Sequence, residues 1–138
     1  MYKRQKFGSA DGVLKGGYTL VDCDGTPDAI LLGTGSEVTI CVDAAAELEK
    51  AGVKTRVVSI PCWKLFDEQP ADYRESVLPA AVTNRVAVEA GIKMGWERYI
   101  GAEGKFIGMT SFGGSAPFEE LYEHFGITAA KIAEAAKA

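Results

Sequence analysis

The strongest constraint in this chain is a rhythm of short apolar runs. "AILLG" (Ala29–Gly33), "TRVVSI" (Thr55–Ile60), "RVAVE" (Arg85–Glu89) and "KFIGM" (Lys105–Met109) recur with helix-like segments between them. Runs that are apolar nearly throughout mark strands buried on both faces. Strands that alternate with helices give an α/β domain with a mostly parallel sheet. A further segment, "YTLVD" (Tyr18–Asp22), has the aromatic and β-branched residues of a strand. Only the turn "CDGTPD" separates it from "AILLG", which is too short for a parallel crossover. Tyr18–Asp22 is therefore expected antiparallel, on an edge.

The intervening segments read as helices. From about Ser36 to Ala51, Val38, Cys41, Ala45 and Leu48 form an apolar stripe at helical spacing. Thr34 and Glu37 have the spacing of a capping box, and Gly52 stands where a helix commonly stops. A helical turn at "WKLFDEQ" precedes a helix from about Ala71 to Leu78, bracketed by Pro70 and Pro79. "GWERYIG" reads as a short helix between glycines. Phe118–Phe125, with Pro117 as its first helical residue, and Thr128–Lys137 close the chain, split by Gly126. Met1–Lys15 reads as polar and irregular.

Composition excludes several function classes. The formal net charge of −4 argues against a nucleic-acid partner, which needs clustered Lys and Arg. Three scattered cysteines (Cys23, Cys41, Cys62) and a single histidine leave no spacing for a zinc site, so no metal is expected on this chain. The odd, sparse thiols point to reduced cysteines in a cytoplasmic protein. No apolar run reaches membrane-spanning length, and "MYKRQKFGSADG" holds no hydrophobic signal segment, so no membrane partner is expected.

The turn "GTGSE" after the first buried-type strand has the look of a phosphate loop. It lacks the third glycine of a dinucleotide fingerprint, where Val38 stands, and the lysine of a P-loop. Gly33, Thr34, Gly35 and Ser36 still offer amides and hydroxyls at a helix N-terminus, an arrangement that can bind an anion. Glu37 already places negative charge there, so a capped strand-to-helix turn is the reading favoured over an anion loop. Glu89, at the end of a strand, is better placed for function, because open α/β sheets bind ligands beyond their strand C-termini. His124 has no orienting acid in sequence and reads as complementing a helix C-terminus. Ser115 in "GGSAP" lacks the nucleophile-elbow pattern. Asp67, Glu68 and Arg74 read as solvated charges on a helix face. Trp63, Phe66, Trp96 and Phe112 are candidates for an interface with another domain or subunit.

In order and spacing, "KGGY", "PDAILLGTGSEV", "TRVVSIPCWKLFDEQ", "YRESVLP", "RVAVEAG" and "GMTSFGGSAP" resemble the C-terminal domain of transketolase, from about Gly16 to the end. Deoxyxylulose-phosphate synthase and the pyruvate dehydrogenase β subunit carry more distantly similar domains. The resemblance implies a three-layer α/β/α sandwich around a mixed five-stranded sheet, mostly parallel with one antiparallel edge strand. It divides the chain into residues 1–15, a segment arriving from a preceding domain, and residues 16–138, the domain itself. It also implies that thiamine diphosphate, a divalent metal and the catalytic residues belong to N-terminal domains outside this chain. The whole enzyme would transfer a two-carbon ketol unit between sugar phosphates. This chain would bind no cofactor, have no activity alone and serve a structural role in a homodimer. One residue is an exception. The family's Ser-Arg-Gln, whose arginine meets the substrate phosphate, is matched in part by Arg4-Gln5, with Lys3 in place of the serine. Two other readings stand beside this one: a subunit of a split transketolase, and a stand-alone regulatory module that binds a small anion.

Overall fold

The computed structural model describes residues 7–138. Five strands, β1 (Tyr18–Val21), β2 (Ala29–Gly33), β3 (Thr55–Ser59), β4 (Arg85–Val88) and β5 (Lys105–Ile107), form one sheet in the order β1-β3-β2-β4-β5. β2 to β5 run parallel, and β1 lies antiparallel at the edge. The short-turn argument thus places β1 and orients it. Its partner, however, is β3 rather than the β2 that follows it, with Tyr18 opposite Ser59. The chain leaves β2 through α1 (Glu37–Lys50) and inserts β3 between the two.

Every residue of β2 is buried, and its side chains alternate between two cores. Ala29 and Leu31 face Cys41, Ala44 and Leu48 of α1 and Ile132 of α6 (Ala129–Lys137). Ile30 and Leu32 face the opposite layer. That layer is α2 (Trp63–Asp67), α3 (Ala71–Val77) and α4 (Glu97–Ile100), with Phe66, Val77, Trp96 and Tyr99. Burial on both faces is why "AILLG" carries no polar alternation. The result is the three-layer α/β/α sandwich expected.

Several local expectations change. Thr34 and Glu37 form no capping box: Ser36 is the N-cap of α1, is already helical at φ −67° and ψ −29°, and makes no side-chain cap bond. Pro117 and Thr128 are N-caps rather than first helical residues of α5 (Phe118–Phe125) and α6. Thr128 Oγ1 accepts from the Lys131 amide at 3.3 Å. Within the segment read as irregular, Ala10–Lys15 is a 3-10 helix whose Ser9 cap accepts from the Asp11 amide.

The aromatic residues proposed for an interface mostly belong to the core. Trp96 and Phe66 are buried and Trp63 is half-buried, with the two indoles edge to face at 5.3 Å. Gly95 makes this packing feasible. Its φ is +95°, and a Cβ there would sit 2.4 Å from the Trp63 ring. Only Phe112 of the four is exposed, at 98%.

Candidate functional site

The chain runs from β2 toward β3 on one side and from β4 toward β5 on the other. The strand order therefore reverses between β2 and β4, and a crevice at such a reversal, outside the strand C-termini, is where open α/β sheets place ligands. Gly33 and Val88 end the two strands here. The loop after Gly33 delivers Ser36 and Glu37, and the residue after Val88 is Glu89. Gly35 turns the first loop with φ +58°, a conformation glycine takes without strain.

Glu37 is 5% exposed. Its carboxylate accepts a hydrogen bond from the Tyr122 hydroxyl of α5 and another from Ser36 Oγ at 3.1 Å. Ser36 Oγ and the Tyr122 oxygen lie 3.4 Å apart, closing a three-residue cluster. Glu89 is half-buried beside it. Burial pushes the Glu89 carboxyl above its ordinary range, the Glu37 charge pushes further, and the Trp96 indole pulls back. The Tyr122 phenol is also raised, first because its proton is held by Glu37. The crevice therefore carries two carboxylates and a phenol, a set that favours hydrogen-bond donors and cations over anions.

This arrangement bears directly on the loop Gly33, Thr34, Gly35 and Ser36. Its serine is engaged with a carboxylate, and Glu37 stands at the helix entrance, so repulsion opposes an anion there. Glu89 is where the strand-end argument put it. His124 is exposed on the last turn of α5, edge to face with Phe125. Ser115 lies in an exposed loop. Asp67 is not a free surface charge: it accepts from the Tyr99 hydroxyl at 2.9 Å and pairs with Arg98 at 2.6 Å. Arg4 lies outside the described residues. Tyr122 was missed by sequence reasoning, because 85 positions separate it from Glu37.

A groove of about 520 Å³ lies elsewhere, between the C-terminal half of α1 and the β1–β2 turn. Among the described residues, no group of three or more His, Cys, Asp or Glu side chains is placed to hold a metal ion. None of the described helices is long and apolar enough to cross a membrane.

Comparison with known proteins agrees with the geometry of the fold. Residues 16–128 match the family model of the transketolase-like C-terminal domain. The chain is 53% identical over 131 residues to a chloroplastic transketolase of Solanum tuberosum, covering 94% of this chain and 18% of that protein. The solved transketolase of Leishmania mexicana superposes with a TM-score of 0.85 at 42% identity, over 94% of this chain and 18% of that one. A solved chain described as a split gene transketolase, an inactive β4 tetramer, shares the fold with a TM-score of 0.64 at 20% identity, over 88% of this chain and 41% of that one. The chain thus spans about a fifth of the length of the full transketolases it matches.

Proposed function

The chain belongs to the transketolase C-terminal domain family, and from that premise we propose that it is the non-catalytic third domain of a thiamine diphosphate-dependent ketol transferase. Its role in this reading is to dock onto the domains that hold the cofactor and to support their homodimer. The crevice at the strand C-termini does not suit a diphosphate, since Glu37 and Glu89 line it. No step of the reaction is assigned to this chain's residues. Its three free cysteines suit a reducing compartment, and we place the protein in the cytoplasm.

The observation that carries the docking role is where the exposed apolar side chains lie. Ile92 and Met94 follow β4, and Phe112 and Phe118 follow β5. Leu65 is on α2, just after β3. Val13 and Leu14 are on the 3-10 helix leading into β1, whose first residue pairs with the last residue of β3. All seven lie on segments that enter or leave the sheet at the carboxyl end of its parallel strands. Apolar surface gathered at one end marks an interface. The hydrogen bonds from the Met109 amide to the Gly91 carbonyl (2.8 Å) and from the Glu89 amide to the Ile107 carbonyl (3.1 Å) hold the β4 and β5 loops together as one surface.

The test is reconstitution with the cognate cofactor-binding domains expressed as a separate chain. The chain alone is expected to show no ketol transfer. Mixing is expected to give a complex on gel filtration, and Phe112→Ser with Met94→Ser to weaken it at unchanged thermal stability. Activity of the isolated chain, or a complex indifferent to both substitutions, refutes the reading.

A further inference from the structure

A second groove, about 480 Å³, lies on the layer formed by α2, α3 and α4 and gathers three guanidiniums: Arg74 of α3, Arg85 at the start of β4 and Arg98 of α4. Phe66, Leu78 and Tyr99 give it an apolar and aromatic lining, and Asp67 and Glu75 share it. Three positive charges thus face two negative ones.

Those charges are committed to different degrees. Arg85 donates to the carbonyls of Val82 (2.8 Å), Tyr99 (2.6 Å), Leu78 (3.2 Å) and Pro79 (2.8 Å). These bonds satisfy donors without supplying an opposite charge, and among the described residues Arg85 forms no salt bridge. Arg98 is paired with Asp67 but keeps a half-exposed side chain. The other oxygen of Asp67 is taken by Tyr99. Arg74 spends only its Nε, on the Gln69 carbonyl at 3.2 Å, and its two Nη groups make no hydrogen bond within the described residues. Glu75 accepts from the Ala80 amide, at 3.0 and 3.2 Å from its two oxygens, and its charge offsets part of the burial of Arg85. The groove therefore presents the open guanidinium fork of Arg74, the half-exposed Arg98 and a half-buried Arg85 that feels the charge of Glu75 but forms no ion pair among the described residues.

We propose that this groove binds a small phosphate-bearing molecule. Its phosphate sits on the Nη groups of Arg74 and Arg98 in the field of Arg85, and the rest of the molecule lies along the groove. Guanidinium forks match phosphate oxygens two at a time, and a dianion answers three guanidiniums better than a monoanion does. The volume fits a small ligand, since such pockets run from about 300 to 1,000 Å³. The groove is distinct from the crevice of Glu37 and Glu89, so this inference does not depend on the docking role.

The experiment is a calorimetric and amide-shift titration of the whole chain with inorganic phosphate and, separately, with glycerol 3-phosphate. Saturable binding is expected, with shifts centred on α3 and α4. Arg74→Ala and Arg98→Ala are each expected to weaken it about tenfold, and Lys50→Ala, at the far end of α1, to leave it unchanged. Tighter binding of glycerol 3-phosphate identifies a phosphate monoester as the ligand, and equal binding identifies free phosphate. Absence of saturation up to about 20 mM, or affinity unmoved by both arginine substitutions, overturns the proposal. If Arg98→Ala unfolds by releasing Asp67, the exposed Arg74 alone decides it, with Arg74→Lys expected to retain part of the affinity.

Discussion

Tyr122→Phe tests whether the carboxyl-end cluster holds α5 in place. The substitution removes one oxygen and leaves the ring against Phe118, edge to face at 5.9 Å. Glu37 then keeps Ser36 Oγ at 3.1 Å as its one side-chain donor within the described residues, while remaining almost wholly buried. A hydrogen bond to a charged group contributes about 1.5–3 kcal/mol. Tyr122 is only half-buried, so water can replace part of the lost bond, and the lower part of that range applies, about 1.5–2 kcal/mol. For a chain of this length each kcal/mol moves the melting temperature by about 3 °C, so a fall of about 5 °C is expected. The assay is urea and thermal unfolding of wild type, Tyr122→Phe, Glu37→Gln and the double variant. In the Glu37→Gln background the hydroxyl meets a neutral amide, where a bond contributes only about 1 kcal/mol. The cycle should therefore return a coupling of about 0.5–1 kcal/mol. A Tyr122→Phe protein within about 0.5 kcal/mol of wild type would refute the reasoning, because the bond would then be one that water replaces at no cost.

Glu89→Gln tests the second carboxylate. Its folded pKa is raised by burial and by the Glu37 charge, so the folded state binds the proton more tightly than the unfolded one. Stability is therefore greatest below the unfolded glutamate pKa and falls as pH rises from there to the raised folded value, staying low above it. The glutamine variant should lose that decline and gain on wild type as pH rises, which melting curves from pH 4 to 8 will check. Thiol counting with a colorimetric disulfide reagent should find Cys23 and Cys62, both half-buried, in the native protein, and Cys41 only on unfolding. Cys41 is enclosed between α1 and β2, and its thiol is pushed up to about 12 by burial and by Glu37. Gly95→Ala should destabilise by about 2 kcal/mol or more, since it adds strain at φ +95° to a clash with Trp63. Near-ultraviolet circular dichroism should report the displaced indoles.

The sheet is legible in the sequence because its information is local. "AILLG" and the Val86–Val88 centre of "RVAVE" are apolar on both faces, as a strand between two helical layers requires. The antiparallel sense of β1 follows from a six-residue turn, but its pairing with β3 does not, since that depends on where α1 returns the chain. Glu37 shows how a local rule misleads. Its three-residue spacing from Thr34 satisfies a capping box, and nothing nearby in sequence reveals Tyr122, a stronger donor 85 residues on. Trp96 and Phe66 resemble surface anchors because they are large apolar groups near loops in the sequence. The same Gly95 that reads as a loop residue is what lets Trp63 close over Trp96.

The two readings of the carboxyl end, a small-anion loop and a docking face, are separated by what occupies the strand reversal. In an open α/β sheet that crevice is normally left to the ligand, with helix N-termini and backbone amides facing it. Here α5 reaches back so that Tyr122 meets Glu37, and Glu89 adds a second acid, so the chain's own acids stand at the strand reversal. Placing an anion there would set it against two carboxylates. A protein surface can instead meet Ile92, Met94 and Phe112, exposed on the loops after β4 and β5, and Phe118 at the start of α5. Two acids and a phenol at the strand reversal, with exposed apolar side chains on the segments after β4 and β5, fit the docking role proposed above.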